Sequence, residues 1–106
     1  LITGSNGMVG KNILEFEKSK NYIFLTPSSK ELNLLDRNSV DTYIKVNQPD
    51  IVIHCAGIVG GIQANMANPV KFLVENTQMG LNIIMSAYEN GIKDFININP
   101  IINLFN

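Results

Sequence analysis

Cysteine is nearly absent. Cys55 stands alone, so no disulfide can form within the chain and no multi-cysteine zinc site can be built. A single thiol fits a reducing compartment such as the cytoplasm. Basic excess is also missing: eight Lys and Arg against nine Asp and Glu leave a net charge of -1. That is not the electrostatic footprint of a nucleic-acid binder, and no such partner is expected. No apolar run reaches the roughly 18 residues of a membrane span, so no membrane partner is expected either. The lone His and the scattered acids form no ligand cluster, and no metal is expected. Repeats, low-complexity tracts and linkers are lacking. Charged residues are few, at 16%, while hydrophobic residues reach 45%, which is enough for a core and argues against disorder. A length of 106 residues suits one domain. An initiator Met and a signal peptide are missing too. The chain opens on Leu1-Ile2-Thr3, shorter than a typical strand of about five or six residues. Residues 95–106 carry apolar and Asn residues with no helix signal. The chain therefore reads as an incomplete piece of a longer protein.

The chain is organised around its first ten residues. Leu1-Ile2-Thr3 runs into Gly4, Gly7 and Gly10, and an amphipathic segment follows. A strand, a tight turn and a helix in this order hold a dinucleotide pyrophosphate. Gly4 turns the chain off the strand, Gly7 lets backbone approach the phosphates, and Gly10 lets the helix sit close to the sheet. Ser5 and Asn6 form the loop. The N–H groups of Met8, Val9, Gly10 and Lys11 then point at the anion with the helix dipole behind them. An ordinary glycine-rich turn is the alternative for the triplet alone.

Periodicity gives the remaining elements. A first helix is expected over 8–18, with Val9, Ile13 and Phe16 facing the sheet. A second strand is expected over 22–26. The Pro27-Ser28-Ser29 loop lies where doubly wound folds meet the adenosine ribose. No acid follows the strand directly there, and Ser28, Ser29 and Lys30 are suited to a 2'-phosphate, which favours NADP over NAD; a merely solvated loop stays open. A short third strand is expected over 32–34. Asp36 caps a helix over 37–47 with Val40, Tyr43 and Ile44 inward. The uniformly apolar 51–56 is a strand covered on both faces. Gly57 to Gly61 is a second glycine-rich stretch, suited to pass under the nicotinamide, or else a flexible loop. A long helix over 69–90 follows, with Pro69 in its first turn and Gly91 at its stop. Leu73, Gly80, Ile83 and Ala87 form one apolar face; Val74, Leu81, Met85 and Tyr88 form another. A helix apolar on two sides is buried on two sides. One side covers the sheet, and the other meets a second subunit or residues beyond this chain. Asn76, on the first face, needs partners if buried and is counted with the cofactor site. A last strand is expected over 94–98. Right-handed crossovers make this an α/β fold, a Rossmann-type doubly wound parallel sheet of order 3-2-1-4-5. Both glycine loops fall at its strand-order reversal.

These residues resemble the extended short-chain dehydrogenase/reductases, the sugar-nucleotide epimerase/dehydratase family. Thr3-Gly4-x-x-Gly7-x-x-Gly10 resembles the family's opening motif. Gly7 to Gly10, Glu31 to Asp36 and Val59 to Asn65 are together similar to its branch that epimerises and reduces GDP-4-keto-6-deoxymannose. The resemblance implies an N-terminal NAD(P)-binding domain that uses NADP(H) on a nucleotide-sugar substrate. It implies that Asp36 bonds the adenine amino group and that Leu35 lines the adenine pocket. Ala56 and Gly57 would run beside the cofactor. Val59, Gly60 and Gly61 would approach the nicotinamide and sugar, and the long helix would pair in a homodimer. The family's Ser and Tyr-x-x-x-Lys acid–base pair are missing: Tyr22, Tyr43 and Tyr88 lead to Thr26, Asn47 and Ile92. No catalytic residue is expected on this chain, which would bind a cofactor without turning over. A related nucleotide-sugar enzyme and a non-catalytic NADP-binding scaffold are the alternatives. His54 reads as a packed or backbone-bonded histidine, and Cys55 as a small buried hydrophobe.

Overall fold

The computed structural model describes residues 1–16, 20–57 and 67–98. They form β1 (Ile2–Thr3), α1 (Met8–Glu15), α2 (Arg37–Asn47), β2 (Ile51–His54), α3 (Pro69–Glu89) and β3 (Asp94–Asn97). The three strands make a parallel sheet in the order β1-β2-β3. In the expected order 3-2-1-4-5 this is the 1-4-5 side. Thr3 lies opposite His54, and His54 opposite Asn97, so these three share one face. Ile2, Ile53 and Ile96 align on the other.

The 3-2 side differs from expectation. Residues 22–26 form no ladder; one bond, Ile2 N–H to Leu25 O at 2.9 Å, sets them beside β1. A two-residue β1 offers too little edge for more. Residues 32–34 are a turn, not a strand. Leu32 N–H bonds Ser28 O at 2.9 Å, and the Asn33 side chain accepts Leu35 N–H at 3.1 Å. Asn33 thus takes up a backbone group that a strand would need. The apolar alternation survives as two buried pegs, Leu32 and Leu34.

The helices follow their end signals. Asp36 Oδ1 accepts Asn38 N–H at 3.0 Å and starts α2, and Gln48, with φ 42°, ends it before Pro49. Pro69 opens α3. Gly91 at φ +78° closes it, with Ile92 N–H bonding Ala87 O at 2.9 Å across the left-handed turn. Helix α1 is shorter than expected: Phe16 is already extended, and residues 17–19 lie outside the described residues. Strand β2 likewise ends at His54.

The core packs Leu1 and Val52 of the sheet against Val40 and Ile44 of α2 and Met79, Ile83 and Ala87 of α3, with Leu32 and Leu34 filling the side. Arg37 bonds Asp41 within α2 at 3.0 Å and ties α2 to α3 through Glu89 at 2.6 Å. The Asp41 carboxyl is held below its usual range by its bond with buried Ser86, then by Arg37. The buried face of α3 is Met79, Asn82, Ile83, Ser86 and Ala87. The second apolar face is bare, with Tyr88 82% exposed. On the opposite sheet face Ile2 is buried, Ile53 half-buried and Ile96 exposed. Val9 and Phe16, expected against the sheet, are exposed on α1 and line a shallow groove of about 320 Å³ with Asn12 and Ile13.

Candidate functional site

The end of β1 turns at Gly4, whose φ of +71° suits glycine, and a Cβ there would meet Ala56 Cα and N at 2.7 Å. The phosphate-type loop and the end of β2 therefore press backbone to backbone. Gly7 N–H closes the loop on Gly4 O at 3.0 Å. Gly10, buried in the first turn of α1, docks the helix: a Cβ there would sit 2.4 Å from Gly4 O and 2.7 Å from Ser5 Cα.

This packing aims the start of α1 at the loop mouth. The N-cap is extended Gly7, which supplies no side-chain bond, and the first turn carries no acid. The first intrahelical bond is Lys11 N–H to Gly7 O at 2.9 Å. The dipole's positive end and the N–H groups of Met8, Val9 and Gly10 are left to an external anion. Asn6, Met8 and Val9 are exposed and Ser5 half-buried. A diphosphate fits this cradle in charge and in the room that the missing Cβ atoms leave.

Across from it, Thr3 Oγ1 accepts the N–H groups of Cys55 and Ala56, both at 3.1 Å, and meets His54 Nδ1 at 2.7 Å. His54 is buried, and among the described residues its Nε2 has no hydrogen-bond partner. Burial without an anion lowers its pKa to about 4, so the ring is neutral at physiological pH. The packed-histidine reading holds, with a side-chain partner in place of backbone. Cys55 is half-buried rather than buried, and burial pushes its thiol pKa up, away from a reactive thiolate. Ala56 and Gly57 are half-buried beside the loop. Val59, Gly60 and Gly61 lie outside the described residues.

Where the sequence predicts a loop after residues 22–26, the structure has a turn over 28–32. Ser28 N–H bonds Glu31 Oε1 at 3.2 Å, and Glu31 N–H bonds Ser28 Oγ at 3.3 Å. This reciprocal pair was legible in the Ser28-x-x-Glu31 spacing. It occupies the Ser28 hydroxyl and places an acid in the loop; Ser29 and Lys30 remain exposed. Next to it, Asp36 spends one carboxylate oxygen on its cap and is exposed, as is Leu35. The amide buried on α3 is Asn82, not Asn76. Its Nδ2 donates to Leu34 O at 2.8 Å, while Gln78 Nε2 donates to its Oδ1 at 2.7 Å. Asn82 thereby fixes the Leu34-Leu35-Asp36 corner. Asn76 is half-buried, one turn before Gly80, which faces His54. Among the described residues no group of three or more His, Cys, Asp or Glu converges on a metal position, and no helix is long and apolar enough to cross a membrane.

Comparison with known proteins gives a consistent picture. Residues 1–99 match the family described as NAD dependent epimerase/dehydratase. The chain is 58% identical over 98 residues to the GDP-L-colitose synthase of Yersinia pseudotuberculosis, covering 92% of this chain and 32% of that protein. It is 41% identical over 98 residues to the GDP-L-fucose synthase of Azorhizobium caulinodans, covering 92% and 31%. A solved GDP-mannoheptose C4 reductase from Campylobacter jejuni, with NADP bound, superposes with a TM-score of 0.81 at 25% identity, covering 91% and 31%. The chain thus spans about a third of the length of the curated relatives it matches.

Proposed function

The chain belongs to the NAD dependent epimerase/dehydratase family, and on that premise we propose that it is the NADP(H)-binding part of a nucleotide-sugar epimerase/reductase of the GDP-L-fucose synthase kind. The observation that carries this is the glycine cradle, pressed on Ala56 and opened toward an uncapped helix start. Gly4, Gly7 and Gly10 shape it. Ser5, Asn6, Met8 and Val9 surround the diphosphate, Leu35 and Asp36 take the adenine, and Ala56 and Gly57 flank the remainder, with Asn76 nearby. Lys30, with Ser28 and Ser29, faces the 2'-phosphate. Lys30 and the NADP held by the Campylobacter relative support NADP over NAD. Glu31, the acid of that loop, is already bonded to Ser28 N–H.

Bound NADPH supplies hydride to a 4-keto sugar. The residues of this chain orient the cofactor and hold its anionic centre; proton transfer at the sugar belongs to groups this chain does not carry, since no Tyr-x-x-x-Lys occurs in it. The whole protein epimerises GDP-4-keto-6-deoxymannose at two carbons and reduces its ketone. A second reading, the corresponding GDP-L-colitose step, is favoured by the 58% identity to the Yersinia enzyme. The exposed Val74, Leu81, Met85 and Tyr88 face of α3 supports a homodimer, and the single cysteine supports a cytoplasmic location. NADPH oxidation with GDP-4-keto-6-deoxymannose, followed by product analysis, tests the assignment. GDP-L-fucose is the expected product; turnover only with a 3-deoxygenated substrate moves it to the second reading, and no oxidation with either overturns it.

A further inference from the structure

The contacts of Thr3 Oγ1 define where its proton goes. A hydroxyl has one proton and two lone pairs. Two N–H groups arrive at this oxygen, from Cys55 and Ala56, both at 3.1 Å. The Cys55 N–H is shared with the Thr3 carbonyl at 3.2 Å, while Ala56 N–H points at the hydroxyl. Both lone pairs are engaged, so the 2.7 Å contact with His54 Nδ1 has the hydroxyl as donor and the ring nitrogen as acceptor. The ring proton then sits on Nε2. That atom is buried and, among the described residues, unpartnered, facing Gly80, where even an added Cβ would lie 3.9 Å away. An orphaned donor inside a core calls for a reason. The acceptor on the other side of the ring supplies one.

We infer that His54 is a positioning residue of the cofactor site: by accepting the Thr3 hydroxyl proton it turns both lone pairs of Thr3 Oγ1 toward the end of β2 and so fixes the backbone of Cys55 and Ala56 against the glycine loop. The inference rests on reading that loop as the NADP(H) site. Its reach comes from the packing. Thr3 immediately precedes Gly4, and Gly4 lies against Ala56 so closely that a Cβ would stand 2.7 Å from the Ala56 backbone. A Thr3 hydroxyl free to rotate would lose its bond from the Ala56 N–H, and the loop and strand end would shift together. His54 acts through Thr3: its Nδ1 meets the Thr3 hydroxyl and its Nε2 turns to Gly80 on α3.

The test combines two measurements on the full-length protein. Imidazole ¹⁵N NMR of His54 is expected to show a neutral ring with its proton on Nε2; a proton on Nδ1 overturns the inference. NADPH titration then compares variants. His54→Phe keeps a ring but no acceptor and is expected to weaken binding about tenfold, the scale of one hydrogen bond. His54→Asn, with an acceptor near the Nδ1 position, is expected to stay within about threefold of the parent, and Thr3→Ser likewise. A folded His54→Phe that binds as the parent does, or a His54→Asn as weak as His54→Phe, overturns the role. Should His54→Phe fail to fold, His54→Asn and the NMR tautomer decide. A parent protein that binds no NADPH overturns the cofactor reading instead, and the tautomer is still read separately.

Discussion

At Gly10 a single hydrogen stands between helix and loop. Gly10→Ala places a methyl 2.4 Å from a backbone oxygen that cannot swing aside. The expected cost is about 1–3 kcal/mol of stability, with NADPH affinity falling as the helix start is displaced. Gly80 is the opposite case. Its Cβ would find ordinary contact at 3.9 Å, so Gly80→Ala is expected to add about 0.5–1 kcal/mol through helix propensity. Denaturant unfolding of both variants checks the pair. His54 adds a pH dependence whose sign is fixed. Its folded pKa of about 4 lies below the ordinary 6.5, so the unfolded chain binds the proton first. Stability is complete above about pH 6.5 and is lost as pH falls toward 4, by about 3 kcal/mol in all. The stability difference between parent and His54→Asn should therefore narrow on acidification; an unchanged difference from pH 7 to 4.5 contradicts it.

The elements were legible where a local signal agreed with packing. Helix α2 was readable to the residue because Asp36 caps it and Pro49 follows its stop. Pro69 and Gly91 bracket α3 in the same way. Reading failed where a short apolar alternation stood for two conformations. Leu32 and Leu34 are buried as a strand's would be, but Asn33 and the Ser28–Glu31 pair take the backbone bonds. The inner face of α3 was only half legible. Ile83 and Ala87 were visible, whereas Asn82 and Ser86 are polar residues whose burial depends on partners in α2 and the 34–36 corner, which no periodicity encodes. Asn82→Ala leaves the Leu34 carbonyl without its donor, at an expected cost of about 1–3 kcal/mol. If the Leu34-Leu35-Asp36 corner that Asn82 holds takes the adenine, NADPH and NADH should weaken by the same factor in paired titrations; a selective loss of NADPH would place its effect at the 2'-phosphate instead.

On the scale of the whole molecule, apolar surface lies open on the sheet and along α3 as well as on α1. Ile96 is 49% exposed on one face of the sheet, and Val74, Leu81, Met85 and Tyr88 run bare along α3. A parallel sheet is ordinarily covered on both faces, and the chain spans about a third of its relatives. The 1-4-5 half of the sheet and the glycine crevice join residues about 40 to 50 positions apart, and were legible because each strand and glycine turn carries its own local signal and right-handed crossovers order them. What covers the open faces was not. If α3 is the dimer face, Leu81→Glu with Met85→Glu should convert a dimeric full-length protein to monomers in sedimentation while NADPH still binds. Unchanged dimers would place the interface elsewhere.

The cradle between the first glycine loop and Ala56 is the proposed NADP(H) site. Its most direct test is a calorimetric titration of the full-length protein with NADPH and NADH, beside a Gly10→Ala variant. Saturable binding is expected, tighter for NADPH and sharply weakened in the variant. Binding of neither nucleotide, or equal binding by a folded Gly10→Ala protein, would contradict it.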